Sequence, residues 1–220
     1  MVDDHRWACM FQQICKETKI TSIGYMHGKF HKIQIGLRLN TFDNYVLWDY
    51  FFKKQLLGIN ELYKTKNFFF LPHHGLKKNF IKKNKKIYKN NKIKILYVYE
   101  EKVDFQKIFP ILKKLSKEKK IQIDIKIRKN TFLNEGLIDF AIENKINLID
   151  ENNLNKVFSN DYNFTLAHNS TLLYESFFFN VIPVRIVLKR APIEDQISDN
   201  FFIKITYNLK NYYNFFLKLM

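Results

Sequence analysis

The side chains best suited to chemistry stand where apolar runs stop. Between the apolar run Phe164 to His168 and a second from Val181 to Leu188 lie Asn169, Ser170 and Thr171. Their side-chain oxygens and free backbone N–H groups fall where a helix would begin, an arrangement that attracts anions of phosphate size as well as being ordinary helix capping. The helix is expected to run about ten residues, with Leu172, Leu173, Ser176 and Phe177 inward, and to end at Asn180, which tolerates the left-handed conformation usually given to glycine. Glu175, one turn in, is either an acceptor for ligand hydroxyls or a solvated helix carboxylate. A proton acceptor is available at His27, which ends an apolar stretch beside Gly28 and titrates near neutral pH; the alternative is a loop histidine without a role. Arg128 and Lys129 follow an alternating strand toward the same sheet edge and are candidates for neutralising phosphate.

Other chemistries are poorly served. No glycine-rich dinucleotide or Walker pattern occurs, and six glycines in 220 residues leave little room for one. His73, His74 and His168 have no carboxylate at ligand spacing, so no metal is expected. Cys9 and Cys15, six apart on one expected helix, do not form a disulfide framework and fit a reducing compartment. No run approaches the roughly 18 apolar residues needed to cross a bilayer, and the start lacks a signal-peptide pattern. The formal charge of +16 favours anionic partners. The same Lys, Asn, Ile, Phe and Tyr excess is also what an AT-rich coding sequence produces.

These residues need elements to position them. A segment from Lys77 to Lys94 holds nine lysines and no acid, which reads as a linker between an N-terminal part, 1–80, and a C-terminal part, 93–220, with 81–92 as the basic connection. The C-terminal part alternates strand and helix. Ile93 to Tyr99 reads as a buried strand, Phe105 to Leu115 as a helix, and Ile121, Ile123, Ile125 and Ile127 as a second strand. Phe132 to Asn144 reads as a helix, Ile146 to Ile149 as a strand and Leu154 to Phe158 as a short helix, before the strand, turn, helix and strand described above. Phe201 to Ile205 and Tyr207 to Leu219 suggest a last strand and a closing helix. This is an α/β pattern with a parallel sheet covered on both faces, whose ligands sit beyond the carboxyl ends of the strands. The N-terminal part suggests a helix from His5 to Lys16, strands at Ile20 to Met26, Tyr45 to Trp48 and Phe68 to Leu71, and a helix through Leu57.

Several of these segments together resemble GT-B glycosyltransferases, particularly bacterial capsule and polysialyltransferase-type enzymes of surface-polysaccharide synthesis. The matching residues are Ser170, Thr171, Glu175 and Pro183-Val184, then Met26-His27-Gly28, Asp43-Asn44-Tyr45-Val46-Leu47-Trp48, and Phe70-Leu71-Pro72-His73-His74-Gly75 in altered order. Asn180 stands where such proteins commonly carry Gly, and Lys129-Asn130 where they often have His-Pro. The resemblance implies a Rossmann-like C-terminal lobe, a partial N-terminal Rossmann-like lobe lacking its first strands, and exposed sheet edge that would favour self-association. It also implies inverting transfer from a nucleotide-sugar donor to a glycan or glycolipid acceptor, without a metal or other cofactor; no Asp-x-Asp triplet follows a strand. His27 would be the general base, with Gly28 and Asp4 bordering the cleft. Arg128, Lys129, His168, Asn169, Ser170, Thr171 and Glu175 would hold the donor. The implied place is the cytoplasm, with the lysine segment either touching an anionic membrane surface or serving as a solvated linker.

Three rivals remain open on the sequence. A basic nucleic-acid-binding protein would use the lysines with Phe80, Ile87 and Tyr88, but it leaves the Asn-Ser-Thr turn unexplained, so nucleic acid is not the expected partner. A nucleotide-sugar epimerase of the same architecture would need further acid/base carboxylates and a full N-terminal lobe. A catalytically inactive remnant of the same fold would bind nucleotide without turnover.

Overall fold

The computed structural model describes residues 6–26, 42–71, 92–100, 105–128, 135–168, 170–187 and 203–206. Asp4, His27, Gly28, Lys129 and Asn169 lie outside the described residues, as do most of the lysine segment and the expected closing helix. The chain divides into two compact units, each with its own parallel sheet.

The smaller unit comprises α1 (Arg6–Glu17), β1 (Ile23–Tyr25), β2 (Asn44–Leu47), α2 (Tyr50–Ile59), a short 3-10 helix (Glu61–Thr65) and β3 (Asn67–Phe70). Its strands pair in parallel in the order β1-β2-β3. Such short strands offer few inward positions, so large rings fill them. Tyr45 is fully covered, meets Tyr63 edge-on at 5.3 Å, stacks on Phe68 at 5.8 Å, and its hydroxyl accepts the Phe42 N–H at 2.8 Å. Asp49 caps α2 by accepting the Phe51 N–H, and Asn60 both ends α2 and caps the 3-10 turn through Leu62. That 3-10 turn was not expected from the sequence, because its residues carry no helical period.

The larger unit runs β4 (Ile93–Val98), α3 (Phe105–Ser116), β5 (Ile121–Lys126), α4 (Glu135–Glu143), β6 (Asn147–Ile149), α5 (Leu154–Phe158), β7 (Phe164–Ala167), α6 (Leu172–Phe177), β8 (Ile182–Val187) and β9 (Ile203–Thr206). All pairings are parallel, in the order β6-β5-β4-β7-β8-β9. Counted within this unit the order is 3-2-1-4-5-6, that of a dinucleotide-binding Rossmann sheet, with its direction of winding reversing between β4 and β7. Ile93, Ile95, Tyr97, Ile121, Ile123, Ile125, Phe164, Leu166, Val184 and Ile186 form one sheet face under Ile108, Leu112 and Leu115 of α3 and Leu137 and Phe140 of α4. The element order thus follows the α/β alternation of the sequence.

One local expectation fails. Helix α6 has six residues, not about ten, and Phe177 is 44% exposed, whereas Leu172, Leu173 and Ser176 are buried as expected. The chain leaves the helix early through tight turns, with Val181 N–H bonding to Ser176 O at 3.1 Å. Asn180 sits at φ 56° at the end of this turn, as its side chain permits. Lys19 and Lys145 do the same after α1 and α4, at φ 56° and 53°. In a chain this poor in glycine, lysine and asparagine take the left-handed stop position.

Candidate functional site at the carboxyl edge of the larger sheet

In a parallel sheet wound in both directions, the two strands at the reversal send their following loops to opposite faces and leave a crevice beyond their carboxyl ends. Here those strands are β4 and β7, and the crevice is bordered by Glu100 and by the turn from His168 to Thr171. The backbone ladder joining them ends with Tyr97 opposite Leu166. Beyond it a side chain takes over: the Glu100 carboxylate accepts the His168 N–H at 2.8 Å. On the other side Arg185 of β8, 3% exposed, donates from Nε to the His168 carbonyl at 3.0 Å. Both polar groups of this backbone residue are therefore held by side chains from the flanking strands. Charge-assisted bonds of this kind are about twice as strong as neutral ones.

His168 is 8% exposed, and its ring Nδ1 lies 2.8 Å from the Ile186 carbonyl. A carbonyl only accepts, so Nδ1 carries the proton and Nε2 holds the lone pair in the neutral ring. Ser170 Oγ accepts the Leu172 N–H at 3.2 Å, tying down the first turn of α6. Thr171 stands at the cap position with helical backbone and no side-chain cap bond. Ser170 and Thr171 are half-buried, and Glu175 lies one turn further along α6. Ser170 and Thr171 thus offer hydroxyls shortly after a residue whose N–H and carbonyl are both held by side chains, an arrangement suited to a phosphate or another small anion.

Arg128 follows β5 and is exposed at the same edge. Lys126, last residue of β5, is buried there, and Asp150 and Glu151 follow β6. Glu151 accepts the Asn153 N–H at 2.8 Å and lies 3.3 Å from Lys156, and these partners hold its carboxyl below the usual range. His168, Ser170, Thr171 and Glu175 come together around one turn, with Arg128 on the same sheet edge two strands away. His27, Gly28, Asp4, Lys129 and Asn169 are outside the described residues, so no geometry joins them to this group.

Sequence reasoning missed Glu100, Arg185 and Lys126. Arg185 left a signal, a lone charge inside the apolar run Val181 to Leu188. Glu100 followed a buried strand directly, the position from which the first strand of such a sheet reaches its crevice. Lys126 was hidden by the alternation of isoleucines, which draws the eye to Ile121, Ile123, Ile125 and Ile127 and away from the residues between them. The second face is covered as well, and Asp124 is buried there, accepting from Tyr162 Oη at 2.7 Å and from Asn147 Nδ2 at 3.0 Å.

One solved structure matches the fold at a TM-score above 0.5. S. aureus MnaA, solved with UDP, matches 96% of this chain and 70% of its own, at 13% identity and a TM-score of 0.56. E. coli heptosyltransferase WaaC, solved with ADP-2-deoxy-2-fluoro heptose, matches 84% of this chain and 74% of its own, at 9% identity and a TM-score of 0.40. No family model and no curated protein matches the sequence. The α/β fold with Rossmann-like parallel sheets is GT-B-like, as expected. The narrower polysialyltransferase-type resemblance is carried by the sequence motifs alone. Among the described residues no helix is long and apolar enough to cross a membrane.

Proposed function

We propose that this protein transfers a glycosyl group from a nucleotide-activated donor to a glycan or glycolipid acceptor of a bacterial surface polysaccharide. The observation that carries the reading is His168, held by Glu100 and Arg185 just before Ser170 and Thr171, at the reversal point of a 3-2-1-4-5-6 sheet. Ligands of such sheets gather at that point, and the solved structure with a TM-score of 0.56 was determined with UDP.

In this reading Ser170 and Thr171 donate from their hydroxyls to the donor phosphates. Arg128 and Lys129 offset the charge that grows on the departing phosphate, and Glu175 accepts from ribose hydroxyls. Asn169 and His168 complete the cradle. His27 takes the proton from the attacking acceptor hydroxyl as the new glycosidic bond forms and the bond to phosphate breaks. Gly28 and Asp4 border the place where the acceptor enters. No metal is required, because cationic side chains and hydroxyls carry the leaving group. Catalysis takes place in the cytoplasm, where the lysines from Lys77 to Lys94 serve as a solvated linker or, for a lipid-linked acceptor, meet an anionic leaflet.

The test is a thermal-shift panel of UDP, CDP, CMP, GDP and dTDP on the wild-type chain and on a Ser170→Ala/Thr171→Ala double variant. A selective rise in Tm that the double variant loses is expected. A panel without any shift would overturn the donor-site reading. A shift equal in both proteins would move the site away from this turn.

A further inference from the structure

The larger unit buries a cation for which the transfer scheme has no task. Lys126 closes β5 at the carboxyl edge of the sheet and is 7% exposed. Among the described residues its ammonium makes one hydrogen bond, donated to the Ile127 carbonyl, and it forms no ion pair. An ammonium has three donors, so two remain to be used. Burial pushes it below the usual lysine range, against the opposing pull of Asp150 and Glu151. Glu151 is already engaged by Asn153 and Lys156. Holding a charge out of water with one acceptor is costly, and the cost is offset when a ligand brings another acceptor.

Its position says which part of a ligand that would be. Lys126 pairs in register with Val98 on β4 and with Ile149 on β6. It therefore stands one strand from β4 and two from β7, whose following turn carries Ser170 and Thr171. Two strand spacings are about 10 Å. A nucleotide whose phosphate rests on that turn and extends across the end of β4 brings its base to the end of β5.

We propose that Lys126 reads the base of the bound nucleotide by donating to an exocyclic carbonyl oxygen, so that the site prefers uracil, cytosine or guanine over adenine. The inference rests on the nucleotide-donor reading above and deepens it. An ammonium only donates, and adenine carries an exocyclic amine and no carbonyl, so the pairing is selective by chemistry and not by size.

The experiment is calorimetric titration of UDP, GDP and ADP into wild-type protein, Lys126→Met and Lys126→Arg, with thermal denaturation of each protein alone. In Lys126→Met, UDP and GDP should bind about tenfold or more weakly, as expected for losing a bond to a charged donor, while ADP is unchanged. Lys126→Arg should keep part of the preference. The unliganded Tm of Lys126→Met should stay level or rise, since a buried charge has gone. A base ranking that survives Lys126→Met overturns the assignment, and a falling Tm with that ranking intact makes Lys126 a structural pin. Should Lys126→Met fail to fold, Lys126→Gln carries the same comparison. Wild-type protein that binds none of the three nucleotides overturns the donor reading itself, an outcome distinct from binding without base selection through Lys126.

Discussion

The two units solve the same problem, covering a parallel sheet, with different materials. The smaller one closes three short strands with rings: Tyr45, Tyr63, Phe42, Trp48 and Phe52 are all buried, and Trp48 meets Phe52 edge-on at 5.7 Å. The larger one uses mainly aliphatic chains from β4, β5, β7 and β8 under two amphipathic helices. Exposure follows the same division. Met10, Phe11, Ile14, Ile20, Ile23, Tyr50, Leu62, Phe69, Phe70 and Leu71 of the smaller unit are exposed, against Ile138, Ile142 and Phe177 of the larger. Charge divides in the opposite sense, for Asp124, Lys126, His168 and Arg185 are buried in the larger unit. A sheet covered on both faces supplies enough partners to hold polar groups out of water at its edge. Three short strands have no such reserve, and their polar ties, such as Asp43 to Ser22, are made near the surface. Ligand chemistry is thus best sought on the larger sheet.

Three substitutions test that contrast. The largest effect is expected from Phe164→Ala, which empties a fully covered position between Ile95 and Ile182. It should cost about 3–5 kcal/mol, read as a lower denaturant midpoint and as amide exchange spreading through β4, β7 and β8. An effect below that of a surface change would mean the aliphatic core does not carry the larger unit. Next is Gly24→Ala. A Cβ there would stand 2.5 Å from Phe42 Cδ2 and 3.0 Å from Tyr45 Cε1, both on buried rings. Overpacking of this kind costs about 1–3 kcal/mol; a stability equal to wild type would show that the aromatic cluster yields more readily than its packing implies.

The smallest effect concerns Asp43. Its carboxylate accepts the Ser22 N–H at 2.8 Å and the Ser22 hydroxyl at 2.7 Å, and these bonds, the backbone one foremost, hold its pKa below the ordinary 3.8. A depressed pKa stabilises the fold above the ordinary value, and that contribution disappears as the pH falls through the lower folded value. Melting temperature followed from neutral pH into acid should therefore fall slightly less in Asp43→Asn than in wild type. Parallel curves would show that the Ser22 contacts add no pH-dependent stability.

The alternation of strands and helices was legible because apolar period and strand length are local properties. Ile121 to Ile127 and Phe105 to Leu115 declare their elements within a dozen residues, and Leu154 to Phe158 was placed to the residue. The turn at Ser170 and Thr171 was legible for the same reason, since capping residues and the strand before them are neighbours in sequence. Helix α6 was overextended because its end is set by the Ser176 to Val181 turn, and Phe177, its last residue, is exposed where the sequence suggested an inward position.

The α/β class, most of its elements, the basic balance and the polar residues after β7 are thus written in local sequence. Strand order, and with it which loops share a crevice, arises from long-range packing. Glu100 and His168 are 68 residues apart and Arg185 is 17 beyond His168; nothing local joins them. The partners of the buried Asp124 were decided in the same way, since Tyr162 and Asn147 reach it from 38 and 23 residues away. Periodicity specifies which side chains share a face, whereas the dielectric that those side chains meet is fixed by what packs there.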